Sequence, residues 1–548
     1  MQNETTNSPR GSRRPVLTHL TLNLLVAGYI FVALNLGFWS RAIEALSGDV
    51  VLIGCFAIGI FGLTVLALEL LGPGRMQKPV AALLIMIAAG ASYYERNFGV
   101  LIDRDMMRNI FETTVTESRH LITPAALWQM ALTGVIPAAM VFWPRVRRVR
   151  RWHHLWRWPV GVALSVALVL GSVAFNYKAY AAALRERRDV MASYQPVAFI
   201  RALVAYGEEQ MMVVDSVLQE VAGDAAPGRH LAQAEKPVLM VLFVGETLRA
   251  QNFGLNGYER DTTPGLAARD VINFPDVTAC GTSTSVSLPC MFSPLATSDY
   301  SREAALSREN LLDVLVRSGF EVNWVDNNTG DMGVAMRQGW QIVEKTLAPD
   351  ACVTECTDEV FLPLIEKTLE EVTEDTVLVL HMIGNHGPAY YLRYPEGQAP
   401  FSPDCRSAQF SDCPVQEIVN AYDNAVVETD LVLSRAIDML DASDRVLPAM
   451  VFLSDHGESL GESGLYLHAA PRFMAPKEQT KVPMVMWLGD AFRDVMGLKP
   501  DCMRAHADAP VSHDHLFHTM LGLLDIRTAA RDPSLDLTET CRSEDRES

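Results

Sequence analysis

The chain has 548 residues, of which 49% are hydrophobic and 20% charged, and its mean hydropathy is +0.12. This composition excludes an intrinsically disordered chain, and the length predicts at least two domains. The net charge of -19 is uneven, because residues 1–180 hold 17 Lys and Arg against 9 Asp and Glu. Nucleic-acid binding is disfavoured, because the acidic remainder would repel a polyanion.

Five apolar stretches in the basic N-terminal part have lengths near the roughly 20 residues that a membrane-spanning helix needs. Lys and Arg are concentrated before the first stretch, between the second and third, and before the fifth. The positive-inside rule places these three segments in the cytoplasm and everything after residue 180 in the periplasm. We therefore predict a transmembrane domain of five helices over residues 1–180, with spans at 16–40, 50–72, 79–95, 120–143 and 158–177.

The predicted external loop between the third and fourth stretches carries a polar stripe. Asn109, Thr113 and Glu117 recur every four residues, so on a helix they share one face. Such a stripe is either a solvated face or, beside a membrane, a set of contacts to a lipid headgroup. The residues alone leave both interpretations open.

The remainder of the chain changes character after a bridge. Residues 181–235 predict helical segments followed by a linker that contains Gly and Pro. Over 236–548, short β-branched runs such as VLMVLFVGE and PAMVFLSDHG alternate with helical segments. This alternation predicts an α/β domain with a mainly parallel sheet and helices on both faces.

Chemically useful side chains directly follow several of the predicted strands. Functional sites in such sheets lie beyond the carboxyl ends of the strands. Carboxylate and imidazole ligands together suit zinc. A structural role for any single histidine is the alternative. The residues in these positions are Glu246, His386, Asp455 and His456, and His468 follows twelve residues after the last of them.

A hydroxyl-rich segment, CGTSTSVSLPC, lies between Cys280 and Cys290. Ser and Thr alcohols are poor nucleophiles unless a base or a metal activates them. Zinc supplies that activation and neutralises charge on a phosphoryl oxygen. The segment therefore favours metal-assisted phosphoryl transfer over the alternative of an ordinary polar loop. The cluster His513, His515 and His518 is not at a strand end, and we expect it to be structural.

Eight of the nine cysteines lie in the predicted external part. Three close pairs suit disulfides in an oxidising periplasm. A cysteine zinc site is the weaker alternative, because the pairs lack C-x2-C spacing. The pairs are Cys280 with Cys290, Cys352 with Cys356, and Cys405 with Cys413, while the sequence does not decide whether Cys502 and Cys541 pair.

Long motifs in order along the chain carry a resemblance to a known family. VGETLRAQNFGLNGYERDTTP, ACGTSTSVSLPCMFS, HMIGNHGPAYY, NAYDN, SDHGESLGESGLYLH and APKEQTKVP resemble the phosphoethanolamine transferases that modify lipid A, including the mobile colistin-resistance enzymes. These enzymes belong to the alkaline-phosphatase/sulfatase superfamily. The resemblance extends from the first apolar stretch to about residue 525.

The resemblance implies a multi-pass protein of the Gram-negative inner membrane, monomeric, with a sulfatase-like catalytic domain in the periplasm. It implies zinc-dependent transfer of phosphoethanolamine from phosphatidylethanolamine to a lipid A phosphate, through a covalent threonine intermediate, and hence colistin resistance. Transfer of phosphoethanolamine or phosphoglycerol to another envelope glycan, such as core sugars, stays open as an alternative. A non-catalytic periplasmic sensor is disfavoured, because every motif of the site is present.

The resemblance also implies individual roles. Thr284 is the nucleophile, and Met332 stands where the mobile enzymes have a lysine, which removes one charge contact to the substrate. One zinc ion is held tightly by Glu246, Thr284, Asp455 and His456. His386 and His468 meet a second metal, bound during turnover, or the substrate phosphate, and one of them protonates the leaving group. The implied substrate contacts are Asn109, Thr113, Glu117, Asn328, His381, His386 and His468.

Overall fold

The computed structural model describes residues 14–147, 151–214 and 217–543. The chain divides into two compact units, one formed by Met1–Asp103 with Pro124–Ala202 and the other by Arg104–Thr123 with Leu203–Ser548. The domain boundaries expected at residues 180 and 235 remain a prediction.

The first unit is helical. Its interior is apolar, with Val26, Ile30, Leu68 and Ile85 among its buried side chains. A short parallel pair joins Val16–Leu17 to Arg145–Val146. Its helices are His19–Ala33, Leu36–Ala45, Val50–Leu71, Gln77–Phe98, Pro124–Met130, Ile136–Met140, Arg151–Phe175, Tyr177–Glu186, Asp189–Ala192 and the start of Val197–Val214, and a π-helical turn, Ala131–Val135, joins the fifth to the sixth.

Three helices among the described residues are long and apolar enough to cross a membrane: Val50–Leu71, Gly74–Phe98 and Trp158–Phe175. The pair His19–Ala33 and Leu36–Ala45, bent by 69°, would make a fourth if it is one span, whereas Pro124–Met140 is apolar but shorter. The structure therefore gives three or four candidate spans and does not confirm the predicted five.

The bend in the first predicted span has a local cause at Asn35. The Asn35 side chain donates hydrogen bonds to the carbonyl oxygens of Ile30, 3.0 Å away, and Gln195, 2.9 Å away. Its amide oxygen also accepts from the Gln195 backbone N–H at 2.7 Å. A buried amide that bonds the backbone in this way competes with continuation of the helix, so the apolar run divides there.

The second unit is built on one eight-stranded sheet. Its strands are β1 (Val238–Gly245), β2 (Ile272–Thr278), β3 (Glu321–Asp326), β4 (Trp340–Ile342), β5 (Thr376–His381), β6 (Leu447–Ser454), β7 (Lys481–Leu488) and β8 (Val511–Ser512). The order across the sheet is β8-β2-β7-β6-β1-β5-β3-β4, and within this sheet β7 alone runs antiparallel to its neighbours. The prediction of a mainly parallel sheet is therefore confirmed.

The central strand β1 explains why the sequence shows continuous apolar runs rather than alternation. All of its residues are buried, because helices cover both faces of the sheet. Met240 and Leu242 pack with Leu288, Leu315 and Phe517 from helices on one face. On the other face, Phe243 contacts the ring of Phe361, which directly precedes the helix Leu362–Glu371.

The remaining elements of the second unit surround this sheet. Two further strand pairs are Ser459–Leu460 with Tyr466–Leu467 and Ala226–Pro227 with Ile526–Arg527. The other helices are Arg104–Glu112, Val115–Leu121, Arg229–Ala232, Pro264–Ala267, Thr284–Met291, Arg302–Leu306, Leu311–Arg317, Leu362–Glu371, Val415–Asp441, Lys477–Thr480, Asp490–Met496, Pro500–His506 and Asp514–Leu523, together with the end of Val197–Val214.

Four disulfides lie in the second unit. The three predicted pairs are present, Cys502 pairs with Cys541, and Cys55 in the first unit is free. We expect thiol labelling of denatured, unreduced protein to modify Cys55 alone, with all nine cysteines reacting after reduction. Peptide mapping would read the result, and label on Cys280 or Cys290 before reduction would contradict the pairing.

Candidate active site

The carboxyl ends of four neighbouring parallel strands meet in register. Asp326 at the end of β3 pairs with His381 at the end of β5, and Gly245 of β1 pairs with Ser454 of β6. Glu246 and Asp455 are the next residues after β1 and β6, so the backbone register alone brings their side chains together. This is the edge at which sites form in α/β sheets.

Glu246, Asp455 and His456 form a buried cluster whose ligand atoms all lie within 4.8 Å of one another. His456 Nδ1 donates to the carbonyl oxygen of Gly457 at 2.9 Å. Its Nε2 is thereby directed to the carboxylates, 3.4 Å from Glu246 Oε1 and 3.4 Å from Asp455 Oδ2. Among the described residues, Asp455 Oδ2 has no hydrogen-bond partner.

The electrostatics of this cluster call for a cation. Burial and the charge of Glu246 raise the pKa of Asp455 to about 6. Burial opposes protonation of His456, yet the charges of Asp455 and Glu246 raise its pKa to about 9. A divalent metal would replace that proton as the compensating charge, and the unpartnered Asp455 oxygen is a ready ligand atom. The donor set of carboxylates, imidazole and hydroxyl fits zinc.

Thr284 is the hydroxyl residue that reaches this cluster. It begins the helix Thr284–Met291, and its Oγ1 donates to Glu246 Oε2 at 3.0 Å and lies 3.4 Å from His456 Nε2. The neighbouring hydroxyls are engaged elsewhere. Thr282 donates to the carbonyl oxygen of Ala470 at 2.8 Å, and Ser285 donates to Asn109 Oδ1 at 2.7 Å.

His381 and Asn328 lie on the far side of Glu246. Asn328 Nδ2 donates to Glu246 Oε2 at 2.7 Å, and His381 Nδ1 donates to Asp326 Oδ2 at 2.7 Å. Burial opposes the charge on His381, but Asp326 and Glu246 raise its pKa to about 10. Asn328 thus orients Glu246 through a hydrogen bond and His381 offsets its charge, while the expected contact of both residues with substrate remains a prediction. Asp326 was not among the predicted site residues, although its position as the acid at the end of the predicted strand EVNWVD could have identified it.

His386 and His468 lie on the open side of the cluster. The ring of His468 is 4.6 Å from the ring of His456 and 5.5 Å from that of His386, between centroids. His468 Nδ1 donates to Glu458 Oε2 at 2.8 Å, and the other oxygen of Glu458 accepts from Tyr390 at 2.6 Å. This buried acid fixes the ring so that His468 Nε2 is left for a substrate or a metal.

Backbone strain accompanies these side chains. Thr247, directly after Glu246, has a φ of 51°. Leu467 and Ala469, on either side of His468, have φ values of 63° and 65°. Non-glycine residues rarely occupy this region, and such strain is concentrated at functional sites, where the surrounding structure holds it.

A small cavity of about 40 Å³ joins these groups, and we call it the Thr284 cavity. Asn109 and Thr113 of the polar stripe line it, and their contact with substrate remains a prediction, whereas the side chain of Glu117 lies outside the described residues. Met332 lines it too, and its described lining contains no Lys or Arg. The full set is Asn109, Glu112, Thr113, Thr284, Ser285, Thr329, Met332, His386 and His468.

Glu112 is a cavity residue that the sequence reasoning missed, although it lies three positions after Asn109 and shares its helix face. Glu112 Oε1 pairs with Arg302 at 3.3 Å, and Arg302 in turn donates to the carbonyl oxygen of Ser285 at 2.6 Å. Among the described residues, Glu112 Oε2 is buried without a hydrogen-bond partner. The cavity thus offers one free carboxylate oxygen.

The cluster His513, His515 and His518 is structural, as expected. His513 accepts from the Cys280 N–H at 3.2 Å and donates to the carbonyl oxygen of Ser454 at 3.0 Å, and burial lowers its pKa to about 4. His518 accepts from the backbone N–H of Asp532 at 3.0 Å. His513 thereby ties the loop before Thr284 to the end of β6.

Comparisons with known proteins agree in both halves of the chain. The family described as Sulfatase matches residues 239–526, and the family described as Phosphoethanolamine transferase EptA/EptB matches residues 60–211. Phosphoethanolamine transferase EptA of Escherichia coli (strain K12) is 36% identical over 538 residues, which cover 97% of this chain and 98% of that protein.

Two further relatives extend the likeness. Phosphatidylethanolamine transferase Mcr-1 of Escherichia coli is 33% identical, covering 91% of this chain and 94% of that protein. The integral membrane protein lipooligosaccharide phosphoethanolamine transferase A from Neisseria meningitidis superposes with a TM-score of 0.92 at 34% identity, covering 96% of this chain and 99% of that one.

Proposed function

The chain belongs to the phosphoethanolamine transferases of the EptA and Mcr-1 type, and on this premise we propose that it transfers phosphoethanolamine from phosphatidylethanolamine to a phosphate of lipid A. The observation that carries the proposal is the position of Thr284 Oγ1, which contacts both Glu246 and His456 and opens to a cavity. A nucleophile beside a carboxylate–imidazole cluster suits covalent phosphoryl transfer.

Residues of the cluster hold and activate the nucleophile. Zinc would be held by Glu246, Asp455, His456 and Thr284. When bound, it would lower the pKa of the Thr284 hydroxyl and neutralise charge on a phosphoryl oxygen. Glu246 Oε2 accepts the Thr284 hydroxyl hydrogen, which orients Oγ1 for attack. The hydroxyl proton passes to solvent, because, although burial would raise the pKa of Glu246, His381 and His456 hold it well below its ordinary value. One tightly held zinc ion, and a second during turnover, remain predictions.

The first half-reaction consumes the donor. Thr284 Oγ1 bonds to phosphorus of phosphatidylethanolamine, and the bond from phosphorus to the diacylglycerol oxygen breaks. His386 or His468, which both line the Thr284 cavity, gives that oxygen a proton, so diacylglycerol leaves as the neutral alcohol. Phosphoethanolamine remains esterified to Thr284.

The second half-reaction releases the enzyme. An oxygen of a lipid A phosphate bonds to the phosphorus, the bond from phosphorus to Thr284 Oγ1 breaks, and Thr284 recovers its proton. The product carries a diphosphate bridge to ethanolamine, whose ammonium offsets part of the negative charge. Cationic peptides such as colistin bind such a surface less well, which would give resistance.

The ethanolamine headgroup has a matching partner in the Thr284 cavity. The free oxygen of Glu112 would accept a hydrogen bond from the primary ammonium of the donor, while Asn109 and Thr113 border the same space. A carboxylate here favours an ammonium headgroup over the neutral glycerol of phosphatidylglycerol. This supports phosphoethanolamine rather than phosphoglycerol as the transferred group.

The experiment that tests the function is mass spectrometry of lipid A from cells with and without the protein. We expect lipid A to gain the mass of phosphoethanolamine only when the active protein is expressed. Modification confined to the core sugars would instead support the alternative acceptor. Unchanged lipid A and core would contradict the proposed transfer.

We further propose that the chain crosses the Gram-negative inner membrane five times, as a monomer with residues 1–180 as its membrane domain, 181–235 as a bridge and 236–548 in the periplasm. The charge asymmetry of the segments between apolar stretches supports this topology. A reporter active only in the periplasm should work when fused after residue 180 and fail when fused after residue 150. The reverse pattern would refute the topology.

A further inference from the structure

A second, larger cavity of about 240 Å³ adjoins the Thr284 cavity, and we call it the Arg393 cavity. The two cavities share Thr329 and His386 in their linings. The Arg393 cavity is bordered by Lys345, Arg393 and His120, with Glu355 as its acid. Two of the implied substrate contacts, Asn328 and His386, line this space, whereas its other charged residues were not predicted from the sequence.

Arg393 is the buried anchor of this cavity. Its side chain is 2% exposed, and it pairs with Glu355 through Nη2 at 2.9 Å. Its Nε donates to the carbonyl oxygen of His386 at 3.0 Å. Among the described residues, its Nη1 is buried without a hydrogen-bond partner. A buried charged donor left unpaired is costly, so a ligand oxygen is the natural partner.

The charges of the cavity favour an anion. Both carboxylate oxygens of Glu355 already have partners, because His120 Nε2 lies 2.9 Å from Oε1 and Arg393 pairs with Oε2. Burial would raise the pKa of Glu355, but His120 and Arg393 hold it at about 2. Lys345 is exposed and has no carboxylate partner in the described part of the chain. Arg393 is paired with Glu355, but its Nη1 is unused, and Lys345 adds a positive charge that no described carboxylate offsets, so the cavity favours a phosphate group.

The two cavities differ in charge, and each suits one of the two proposed substrates. The Thr284 cavity has Glu112 and no cationic Lys or Arg in its described lining, which suits the zwitterionic headgroup of the donor. A phosphate monoester carries up to two negative charges and needs cationic partners, and the Arg393 cavity has them in Arg393 and Lys345. Because both cavities are lined by His386 and Thr329, a molecule in the second lies beside the cavity that Thr284 lines.

We propose that the Arg393 cavity binds a phosphate monoester of the acceptor, with Arg393 and Lys345 as its cationic contacts. This inference rests on the proposed function, since it names where that function's acceptor binds. The cavity then acts only in the second half-reaction, when the acceptor phosphate discharges the phosphoethanolamine–Thr284 intermediate. The chemistry that it recognises is a phosphorylated sugar lipid.

The test separates the two half-reactions in full-length protein in detergent micelles. The first is the burst of diacylglycerol from phosphatidylethanolamine without acceptor, and the second is discharge of the intermediate by bis-phosphorylated lipid A. For Lys345→Glu we expect the ratio of the discharge rate to the burst rate to fall about tenfold or more, because the reversed charge repels the acceptor phosphate. Lys367→Glu, at an exposed lysine of the helix Leu362–Glu371, is the matched control and should keep the wild-type ratio.

Arg393→Lys supplies a second variant, which keeps the charge but loses the planar fork. It should also lower the discharge-to-burst ratio, and lipid A stripped of its phosphates, which lacks the attacking phosphate oxygen, should discharge neither the wild type nor Lys345→Glu. An unchanged ratio in Lys345→Glu, or an equal fall of both half-reactions, would overturn the assignment of this cavity to the acceptor. Absence of any burst or intermediate in the wild type would instead refute the proposed function, and the inference with it.

Discussion

Thr284→Ala is expected to abolish lipid A modification while leaving the protein folded. No other hydroxyl in the loop reaches both Glu246 and His456, since Thr282 and Ser285 donate to Ala470 and Asn109. Loss of a covalent nucleophile typically costs several orders of magnitude in rate, and each tenfold is about 1.4 kcal/mol of barrier. The measurement is the rate of phosphoethanolamine transfer, with circular dichroism to establish folding.

Two variants bracket this result. Thr284→Ser should retain part of the activity, because it keeps the alcohol but loses the methyl group that restricts the side-chain rotamer. Thr368→Ala makes the same hydroxyl deletion on the helix Leu362–Glu371, where the hydroxyl donates to the carbonyl oxygen of Leu364, far from the site in sequence, and it should transfer at the wild-type rate. Full activity in a folded Thr284→Ala protein would mean that another group is the nucleophile.

Asp455→Asn is expected to lower both zinc content and activity. The substitution keeps the shape but removes the charge of the unpartnered Oδ2, so we expect transfer to fall roughly 100-fold or more, about 2.7 kcal/mol of barrier. Zinc per protein, measured by elemental mass spectrometry, should fall in parallel. Asp441→Asn, at an exposed residue that ends the helix Val415–Asp441, is the matched control.

The same variant has a second signature in thermal stability. Without metal, Asp455 and Glu246 repel each other, and this repulsion contributes to the raised pKa of Asp455. Asp455→Asn should therefore raise the melting temperature of chelator-treated protein. In zinc-loaded protein it should lower the melting temperature, because it weakens a ligand that binds only the folded state. Unchanged zinc content and activity would contradict the assignment of Asp455 as a ligand.

The α/β unit was predicted well from the sequence, because the spacing of apolar residues that distinguishes a strand from a helix can be read within a short segment. Glu246, Asp455 and His456 were found because they follow buried apolar runs, and the parallel register then brings their ends together. The antiparallel direction of β7 was not predictable, because a strand buried on both faces has the same apolar pattern in either direction. The segment 455–480 returns at the carboxyl edge without a crossover helix, which is what places His468 at the site.

Other features of the structure depend on contacts between residues that are far apart in the sequence, and no pattern within a short segment predicts such contacts. The first apolar stretch looked like one span, but Asn35 bonds Gln195 far along the chain and divides it. The unpartnered oxygens and nitrogens of Glu112 and Arg393 emerge only when distant segments surround them. The positions after the strands therefore predicted that Glu246, Asp455 and His456 lie together, and the resemblance pointed to Thr284, while their roles as metal ligands and nucleophile remain predictions. The charged groups around the cavities required the tertiary structure.

The covalent intermediate is the central claim of the mechanism. The most direct test incubates the full-length protein with phosphatidylethanolamine and no acceptor, digests it, and maps the modified peptide by mass spectrometry. We predict the mass of one phosphoethanolamine on the peptide that contains Cys280–Cys290, located at Thr284. Phosphoethanolamine on any other residue, or release of diacylglycerol with no modified peptide, would contradict the mechanism.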